Sequence, residues 1–553
     1  MGEYQAAEID SYVAAGWWGD DTLTAKLAAN IAARPTATAL VDAPNRHQWC
    51  AGESHRVTWA ELGDLVQGTA DQLSEHGVGV GSRVGIQLPN VTELVVSLLA
   101  VLEVGAIAVP FPIQHRRHEV ETGWVTAGLD TFVSVARPDR PDQIEMLVSV
   151  AAERTGSVLV FGEADNGTER IEIRAVPWRA DGGAGSANDV ATVCWTSGTT
   201  GTPKGVPRTH NAWVAAGLFN VAGIGLEADD AVLCPFPLVN MAGIGGMLVP
   251  WLVSGFRLVL HQPFDMPTFL GQIAQERVTY TVAPPALLSQ LLRSHETLAR
   301  FDLSSMRAIG SGAAPLDPGM VAGWQGEYGI EVINIFGSNE GAAMLATRAL
   351  VEDPDLRARM FPAIGRPDCE WDTPVATVNR TRLVDLDTGA DIEEPGRLGE
   401  LRFRGSTVFG GYLDSDGHEF DDQGFYRTGD LFELIADDQG RLYYRFVDRA
   451  KDIIIRGGMN ISASEIEALL LGHQGVRDVA VVPAPGGDLG EIVAAVIVVE
   501  EGHALELEDV IVHLRSENIA SYKLPERLAV VEELPRNPLG KVLKSQLRDL
   551  FLT

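Results

Sequence analysis

Apolar residues recur at helical spacing from Thr58 to Glu75 and again from Leu94 to Val104. Short β-branched and aliphatic runs lie between and beyond them: Arg83-Val-Gly-Ile-Gln-Leu, Ala106 to Phe111, Val190–Trp195, Val232–Pro235, Arg257–Leu260, Tyr280–Val282 and Val332–Ile335. A period of about 3.6 alternating with short continuous apolar runs predicts helices alternating with buried strands, an α/β architecture of largely parallel sheets covered on both faces. Between Arg382 and Phe403 the pattern turns strand-rich and turn-rich, which predicts a smaller β subdomain. After Asp448-Arg449-Ala450-Lys451-Asp452 it restarts: a helix from Ser464 to Leu471 capped by Ser462 or Ser464, strands at Val476–Val482 and Ile492–Val499, and a helix at Leu507–Asn518. About a hundred residues suits a small α+β domain. The expected division is 1–450 and 451–553, with Gly182-Gly-Ala-Gly-Ser as a surface link inside the first part.

Composition narrows the function classes. Hydrophobic residues are 46% of the 553 and charged residues 21%, a globular balance. The 43 basic and 75 acidic residues leave a formal charge of −32, which argues against a general nucleic-acid or anionic-membrane binder, since both require a basic face. Cys50, Cys194, Cys234 and Cys369 are far apart and form no metal-ligand spacing, the pattern of reduced thiols in a cytoplasmic protein. The stretch Leu94 to Pro112 is apolar but broken by Glu103, Gly105 and Pro110, so a buried helix and strand are expected there, not a membrane span.

One segment carries clear chemistry. The strand Val190–Trp195 leads into Thr196-Ser197-Gly198-Thr199-Thr200-Gly201-Thr202-Pro203-Lys204-Gly205. Glycines let backbone N–H groups approach an anion, hydroxyls donate hydrogen bonds and lysine adds a point charge. Pro203 precedes Lys204 where a Walker loop has glycine, so this is a phosphate cradle of another kind. A mobile loop of small residues is the plain alternative.

With its companions, this segment resembles the signature of the ANL superfamily of adenylate-forming enzymes. Asn334-Ile-Phe336-Gly337-Ser338-Asn339-Glu340 is similar to the family's aromatic-Gly-x-Thr-Glu motif, and Gly399 to Gly405 with Gly411-Tyr412 to the next one. Thr428-Gly429-Asp430, Arg449-Ala-Lys451-Asp452 with Arg456-Gly457-Gly458, and Leu534 to Lys541 follow in family order. The resemblance implies attack of a carboxylate on the α-phosphate of ATP, release of pyrophosphate, and displacement of AMP by a thiol, CoA or an acyl carrier protein. Two anions at about 4 Å repel by about 4 kcal/mol at an effective dielectric of about 20, so cations and hydrogen-bond donors aimed at phosphoryl oxygens matter more than a general base.

By that resemblance Lys541 bridges the carboxylate and phosphate, Glu340 holds Mg²⁺, and Lys204 with Thr196, Ser197, Gly198, Thr199, Thr200 and Gly201 embraces the pyrophosphate. Phe336 and Gly337 flank the adenine, with Ala313 and Ala314 of the Gly310–Pro315 segment opposite. Asn339 faces phosphate, and Asp430 accepts from the ribose hydroxyls beside Arg449. Asn240, Gly243, Ser311, Gly312 and Ser338 line the acid site. Lys451 is the hinge of a mobile C-terminal domain, and Arg456, Gly457 and Gly458 meet the thiol donor. Each has a plain alternative: a solvated lysine at 541, a helix-cap glutamate at 340, a turn aspartate at 430, a surface charge at 456.

Three positions depart from the family pattern: Asp448 stands for Gly, Asn339 for Thr, and Asn240 for the His frequent in fatty-acyl members. The last suggests a small aromatic or cyclic acid bearing a group for the Asn240 amide; the alternative is that Asn240 bonds only backbone or water. Gly16-Trp17-Trp18, His115-Arg116 with Glu119, and Pro207-Arg208-Thr209-His210 resemble the aryl-acid branch. Transfer to a nitrogen acceptor, including nitrite-activating chemistry, a non-catalytic nucleotide-binding relic, and a homodimer are left open at this level.

Overall fold

The computed structural model describes residues 4–50, 52–162, 167–179, 183–196, 204–413, 415, 417–456, 459–486, 491–517, 519–536 and 542–552. By packing the chain forms two compact units, Met1–Thr381 with Phe403–Tyr426, and Arg382–Arg402 with Arg427–Thr553.

Two twisted sheets build the first unit. One runs Ala343–Ala346, Glu331–Gly337, Ala308–Gly312, Tyr280–Val282, Ala231–Cys234, Arg257–Leu260, Thr38–Val41, Arg56–Thr58. Its inner pairs are parallel, and only the outermost pair at each edge is antiparallel. The other runs Glu169–Ile171, Ser157–Phe161, Thr131–Val135, Arg83–Gln87, Ile107–Pro110, Val190–Thr196, Lys204–Thr209. It is parallel as far as its last pair, Val190–Thr196 with Lys204–Thr209, which is antiparallel. Ala231–Cys234, Ile107–Pro110 and Thr131–Val135 are buried at every residue, as strands covered on both faces must be.

Local chemistry explains the best-read elements. Helix Trp59–Glu75 starts at a capping box in which Thr58 Oγ1 accepts from Glu61 N–H and Glu61 accepts from Thr58 N–H. Its first residue stacks on Trp251 with centroids 4.6 Å apart, both rings fully buried. Helix Thr92–Glu103 is buried at all twelve positions, so its all-round hydrophobicity belongs to a core helix. Gly105, at φ +74°, then turns the chain into strand Ile107–Pro110. Among the described residues no helix is long and apolar enough to cross a membrane.

A further sheet pairs Tyr426–Ala436 antiparallel with Leu442–Arg449, and Leu398–Gly405 is the next strand. The small α+β set follows as expected: hairpin Ile454–Arg456 with Met459–Ile461, helix Ala463–Leu470 capped by Ser462, antiparallel strands Val476–Pro485 and Glu491–Val499, helix Leu507–Ser516, and strand Arg527–Val530 added in parallel. The α/β class with covered parallel sheets and a small C-terminal α+β portion is therefore borne out. Thr131–Val135, Ser157–Phe161 and Lys204–Thr209 are strands that the apolar pattern did not single out.

Candidate active site

The glycine-rich segment joins two antiparallel strands, with Thr196 opposite Lys204 in the register. A connection of this length suits a hairpin and is too short for a parallel crossover, which separates it from strand-to-helix phosphate loops. Thr196 is half-buried and Lys204 exposed; Ser197, Gly198, Thr199, Thr200 and Gly201 lie outside the described residues.

Strand Glu331–Gly337 delivers the next motif. Phe336 stacks on Phe403 at 6.3 Å and 16° between planes. After Gly337 the chain turns tightly: Ser338 N–H donates to Ala342 O, and Gly341 N–H to Ser338 O. Gly341 sits at φ +98°, and a Cβ there would lie 1.8 Å from Thr407 O, so only glycine fits beside Glu340. Asn339 does not face outward. Its Nδ2 donates to Trp195 O at 2.8 Å and its Oδ1 accepts from Met241 N–H at 2.9 Å. One amide thus pins the end of the phosphate-hairpin strand, the start of the segment after Asn240, and the Glu340 turn. Ser338 Oγ is buried beside it with no hydrogen-bond partner among the described residues.

Glu340 is buried, and its Oε1 accepts from the Tyr412 hydroxyl at 2.7 Å; its other oxygen takes no hydrogen bond from a described residue. Burial, with the Glu340 charge adding to it, pushes the Tyr412 phenol well above its ordinary range, so it stays a donor. Lys204 Nζ lies 4.7 Å from the centroid of the same ring. Arg208 is fully buried, and among the described residues its guanidinium hydrogen-bonds carbonyl oxygens alone, Ala212 O at 3.2 Å and Asn339 O at 3.4 Å, with its carbon 4.8 Å from the Trp213 ring. Burial lowers its pKa, and the charge of Glu340 is among the groups that oppose this. A buried carboxylate therefore shares its surroundings with a buried cation and one phenol.

Asn240 caps a π-helical turn, Met241–Leu248, its Oδ1 accepting from Gly243 N–H at 3.2 Å. Gly243 is required there, since a Cβ would lie 2.0 Å from Pro237 O. On the facing strand end, Gly312 packs against the Ile335 carbonyl, Ser311 Oγ is committed to Ala283 O at 2.8 Å, and Ala313 holds φ +65°, the left-handed region that β-carbon residues avoid. Ala313 and Ala314 are exposed.

In the second unit Asp430 is buried and opposite Arg449 in the register, with Arg449 Nε 3.2 Å from Asp430 Oδ1. Asp448 is also buried. Its Oδ1 accepts from Arg449 N–H at 2.7 Å, and its Oδ2 from Ser462 Oγ at 3.1 Å and Ser464 N–H at 3.0 Å. Lys451 is exposed, and Arg456 Nε pairs with Glu526 at 2.6 Å. Gly457, Gly458 and Lys541 lie outside the described residues.

Elsewhere, Asp42, His55 and Glu93 are the one acid–histidine group among the described residues close enough to hold a metal ion. The Arg46 guanidinium already bridges both carboxylates, at 2.7 and 2.6 Å, so this cluster is an ion-paired core network. Burial pushes Cys50 and Cys194 up to about 11 and Cys234 to about 12, which makes them packing groups, not nucleophiles. Sequence spacing gave no sign of the parts played by Tyr412 and Arg208, because their partners lie 72 and 131 residues away along the chain.

Two largely parallel sheets, with the Trp195, Met241 and Asn339 segments drawn together, are the scaffold of an adenylate-forming enzyme. The model of the AMP-binding enzymes matches residues 27–413, and that of the AMP-binding enzyme C-terminal domain matches 465–541. The chain belongs to the AMP-binding enzyme family. It is 32% identical to a salicylyl-CoA synthase / salicylate adenylyltransferase of a Streptomyces species, over 98% of this chain and 96% of that one. It is also 32% identical to 3-[(3aS,4S,7aS)-7a-methyl-1,5-dioxo-octahydro-1H-inden-4-yl]propanoyl:CoA ligase of Mycobacterium tuberculosis, over 91% and 96%. The solved structure of the amide bond synthetase McbA from Marinactinospora thermotolerans aligns with a TM-score of 0.78 at 27% identity, over 96% of this chain and 99% of that one.

Proposed function

We propose that this protein uses ATP to convert a small aromatic or cyclic carboxylic acid into its acyl-adenylate, releasing pyrophosphate, and then passes the acyl group to a thiol, CoA in the first instance. The observation that carries this reading is the Asn339 amide, which gathers the phosphate-hairpin strand, the Asn240 turn and the Glu340 turn at one place. Similarity to a salicylate-activating relative and to a ligase for a fused-ring acid supports the substrate class. Asn240 supports it too: its oxygen is spent on Gly243 N–H, so its N–H₂ is what remains to meet an acceptor on the acid.

In this reading the acid's carboxylate oxygen attacks the α-phosphorus and pyrophosphate leaves. Lys204 and the hydroxyls of Thr196, Ser197, Thr199 and Thr200 offset the charge that grows on the phosphates, Asp430 accepts from the ribose hydroxyls, and Lys541, by its motif, bridges the two reacting anions. Glu340 fits a divalent ion: it is buried, one of its oxygens takes no hydrogen bond from a described residue, and Mg²⁺ is commonly held by one or two carboxylates together with substrate phosphates. Bound Mg²⁺ would supply positive charge at the phosphate oxygens. Residues 451–553 act as the mobile part, turning about Lys451 to bring Arg456 and Gly457-Gly458 into use for the thiol step; a cytoplasmic setting agrees with four free cysteines. An acyl carrier protein as thiol donor is the second arm, and likeness to an amide bond synthetase makes an amine the third.

Acid-dependent pyrophosphate release over benzoates, cinnamates, fused-ring and aliphatic acids tests the proposal, followed by product analysis with CoA, carrier protein or amine. Turnover with ring-bearing acids and a CoA thioester product is expected. Turnover only with long aliphatic acids would overturn the substrate class, and none with any acid would overturn the activity.

A further inference from the structure

We infer that Tyr412 is a positioning residue that sets the Glu340 carboxylate for its divalent ion and couples that carboxylate to Lys204. This rests on the reading above that Glu340 holds the ion. The segment from Phe409 to Leu413 runs between the two motifs and is fastened to each by backbone. Phe409 N–H donates to the Glu340 carbonyl at 2.8 Å, and Leu413 N–H donates to the Gly205 carbonyl at 2.9 Å. Gly205 has no room for a side chain, since a Cβ there would meet Leu413 Cδ1 at 2.6 Å, so the strap lies directly on the strand that begins with Lys204.

Between its two fastenings the strap presents one long polar side chain. The Tyr412 hydroxyl donates to Glu340 Oε1 at 2.7 Å and has the Tyr426 hydroxyl 3.4 Å away, while the face of its ring takes Lys204 Nζ at 4.7 Å. Phe409 packs edge-on against the same ring at 4.8 Å, which fixes its plane. A phenol in this position does two separable things. Its O–H selects one carboxylate oxygen and leaves the other for the ion, the service that outer hydrogen bonds give to ligating groups. Its π face gives the ammonium of Lys204 a resting place close to the carboxylate without forming the ion pair that would neutralise both.

Two substitutions separate these services. Tyr412→Phe keeps the ring and removes the hydroxyl; Tyr412→Leu removes both. The readout is the affinity of the full-length protein for Mn²⁺, followed by electron paramagnetic resonance with a non-hydrolysable ATP analogue present, together with the Mg²⁺ dependence of pyrophosphate release. Tyr412→Phe is expected to weaken ion affinity about tenfold, the lower end of the range for outer-partner loss, with the rate at saturating Mg²⁺ held within about threefold. Tyr412→Leu is expected to add a rise in KM for ATP. Unchanged ion affinity in Tyr412→Phe, with a lower thermal midpoint alone, would make Tyr412 a packing residue and overturn the inference. Glu340→Gln guards the underlying reading: if it too leaves ion affinity unchanged, the assignment of Glu340 has failed, and this is a different result from failure of Tyr412 alone.

Discussion

Two buried carboxylates, one in each unit, show how the same functional group is put to opposite uses. Asp448 has both oxygens spent on its own chain: one on the neighbouring Arg449 N–H, the other on the Ser462 hydroxyl and the Ser464 N–H at the start of helix Ala463–Leu470. Among the described residues Glu340 has one side-chain donor, Tyr412, and its other oxygen takes no hydrogen bond, with the buried charge of Arg208 near by. Fully satisfied buried polar groups rigidify and specify structure; incompletely satisfied ones mark a place where something else binds. The contrast supports the proposal that Asp448 serves architecture and Glu340 chemistry, although both stand in segments that resemble catalytic motifs.

Substitution gives the largest expected separation. Glu340→Gln should lower acid-dependent pyrophosphate release by about 10²–10³-fold, the scale for removing a preorganised group aimed at developing charge, while Asp448→Asn should stay within severalfold in that same assay. Comparable losses in the two variants would break the comparison.

A pH titration should move two helices, one in each unit, in opposite directions. In the first unit burial lowers His115 and His210 to about 4, and His210 Nδ1 already accepts from Leu23 N–H at 3.2 Å, so protonation there sets donor against donor. A depressed folded pKa means stability present above the ordinary histidine value and lost as pH falls from about 6.5 toward about 4, at about 1.4 kcal/mol per pH unit for each ring. In the second unit burial raises Glu467, near Asp448 and paired to Lys544 at 2.8 Å. A raised carboxyl contributes stability at low pH that is lost as pH rises through its folded value. Hydrogen exchange, corrected for intrinsic rate, should show helix His210–Ile224 loosening in mild acid while helix Ala463–Leu470 tightens. His210→Gln should flatten the first response and Glu467→Gln the second; a common direction for both helices would contradict the assignment.

A smaller effect is expected at Asp448→Ala, which strands the Ser464 and Arg449 N–H groups. A loss of about 2 kcal/mol in the local stability of helix Ala463–Leu470 should follow, read from exchange at its first turn. Least of all, Asn339→Thr restores the residue usual in the family and loses the two clamps to Trp195 O and Met241 N–H. It should cost about 1 kcal/mol in thermal stability and raise KM for the acid severalfold, because the Asn240 turn is no longer tied to the Glu340 turn. An unchanged KM would remove Asn339 from the organisation of the acid site.

Much of this was legible in the sequence where a local cause governs the outcome. Helix Trp59–Glu75 follows the helical spacing read from Thr58 to Glu75, and strands Arg257–Leu260 and Tyr280–Val282 match their apolar runs residue for residue. Lys204–Thr209 was not legible, because Gly205 and Pro207 read as loop; it is an edge strand, where the missing N–H of proline is tolerated. In the site, motif order pointed to Glu340, Asp430 and Lys204, but the partners of a side chain are set by tertiary packing. Asn339 is expected to face phosphate, and each end of its amide also holds a backbone partner; Asn240 is expected at the acid, and its oxygen also serves as a helix cap. Tyr412 and Arg208 stand in motif segments, but their contacts were not legible for the same reason: nothing in the spacing between distant segments says which hydroxyl or guanidinium will meet which carboxylate.

The most direct test of the central claim is a single-turnover trap. The protein is mixed with ATP, Mg²⁺ and an ortho-hydroxybenzoate without thiol, quenched, and the acyl-adenylate is measured by mass against enzyme concentration. Near-stoichiometric adenylate from the wild-type protein and from Asp448→Asn, with almost none from Glu340→Gln, is the predicted result. Adenylate from Glu340→Gln at the wild-type level, or none from the wild-type protein with any ring-bearing acid, would contradict the account.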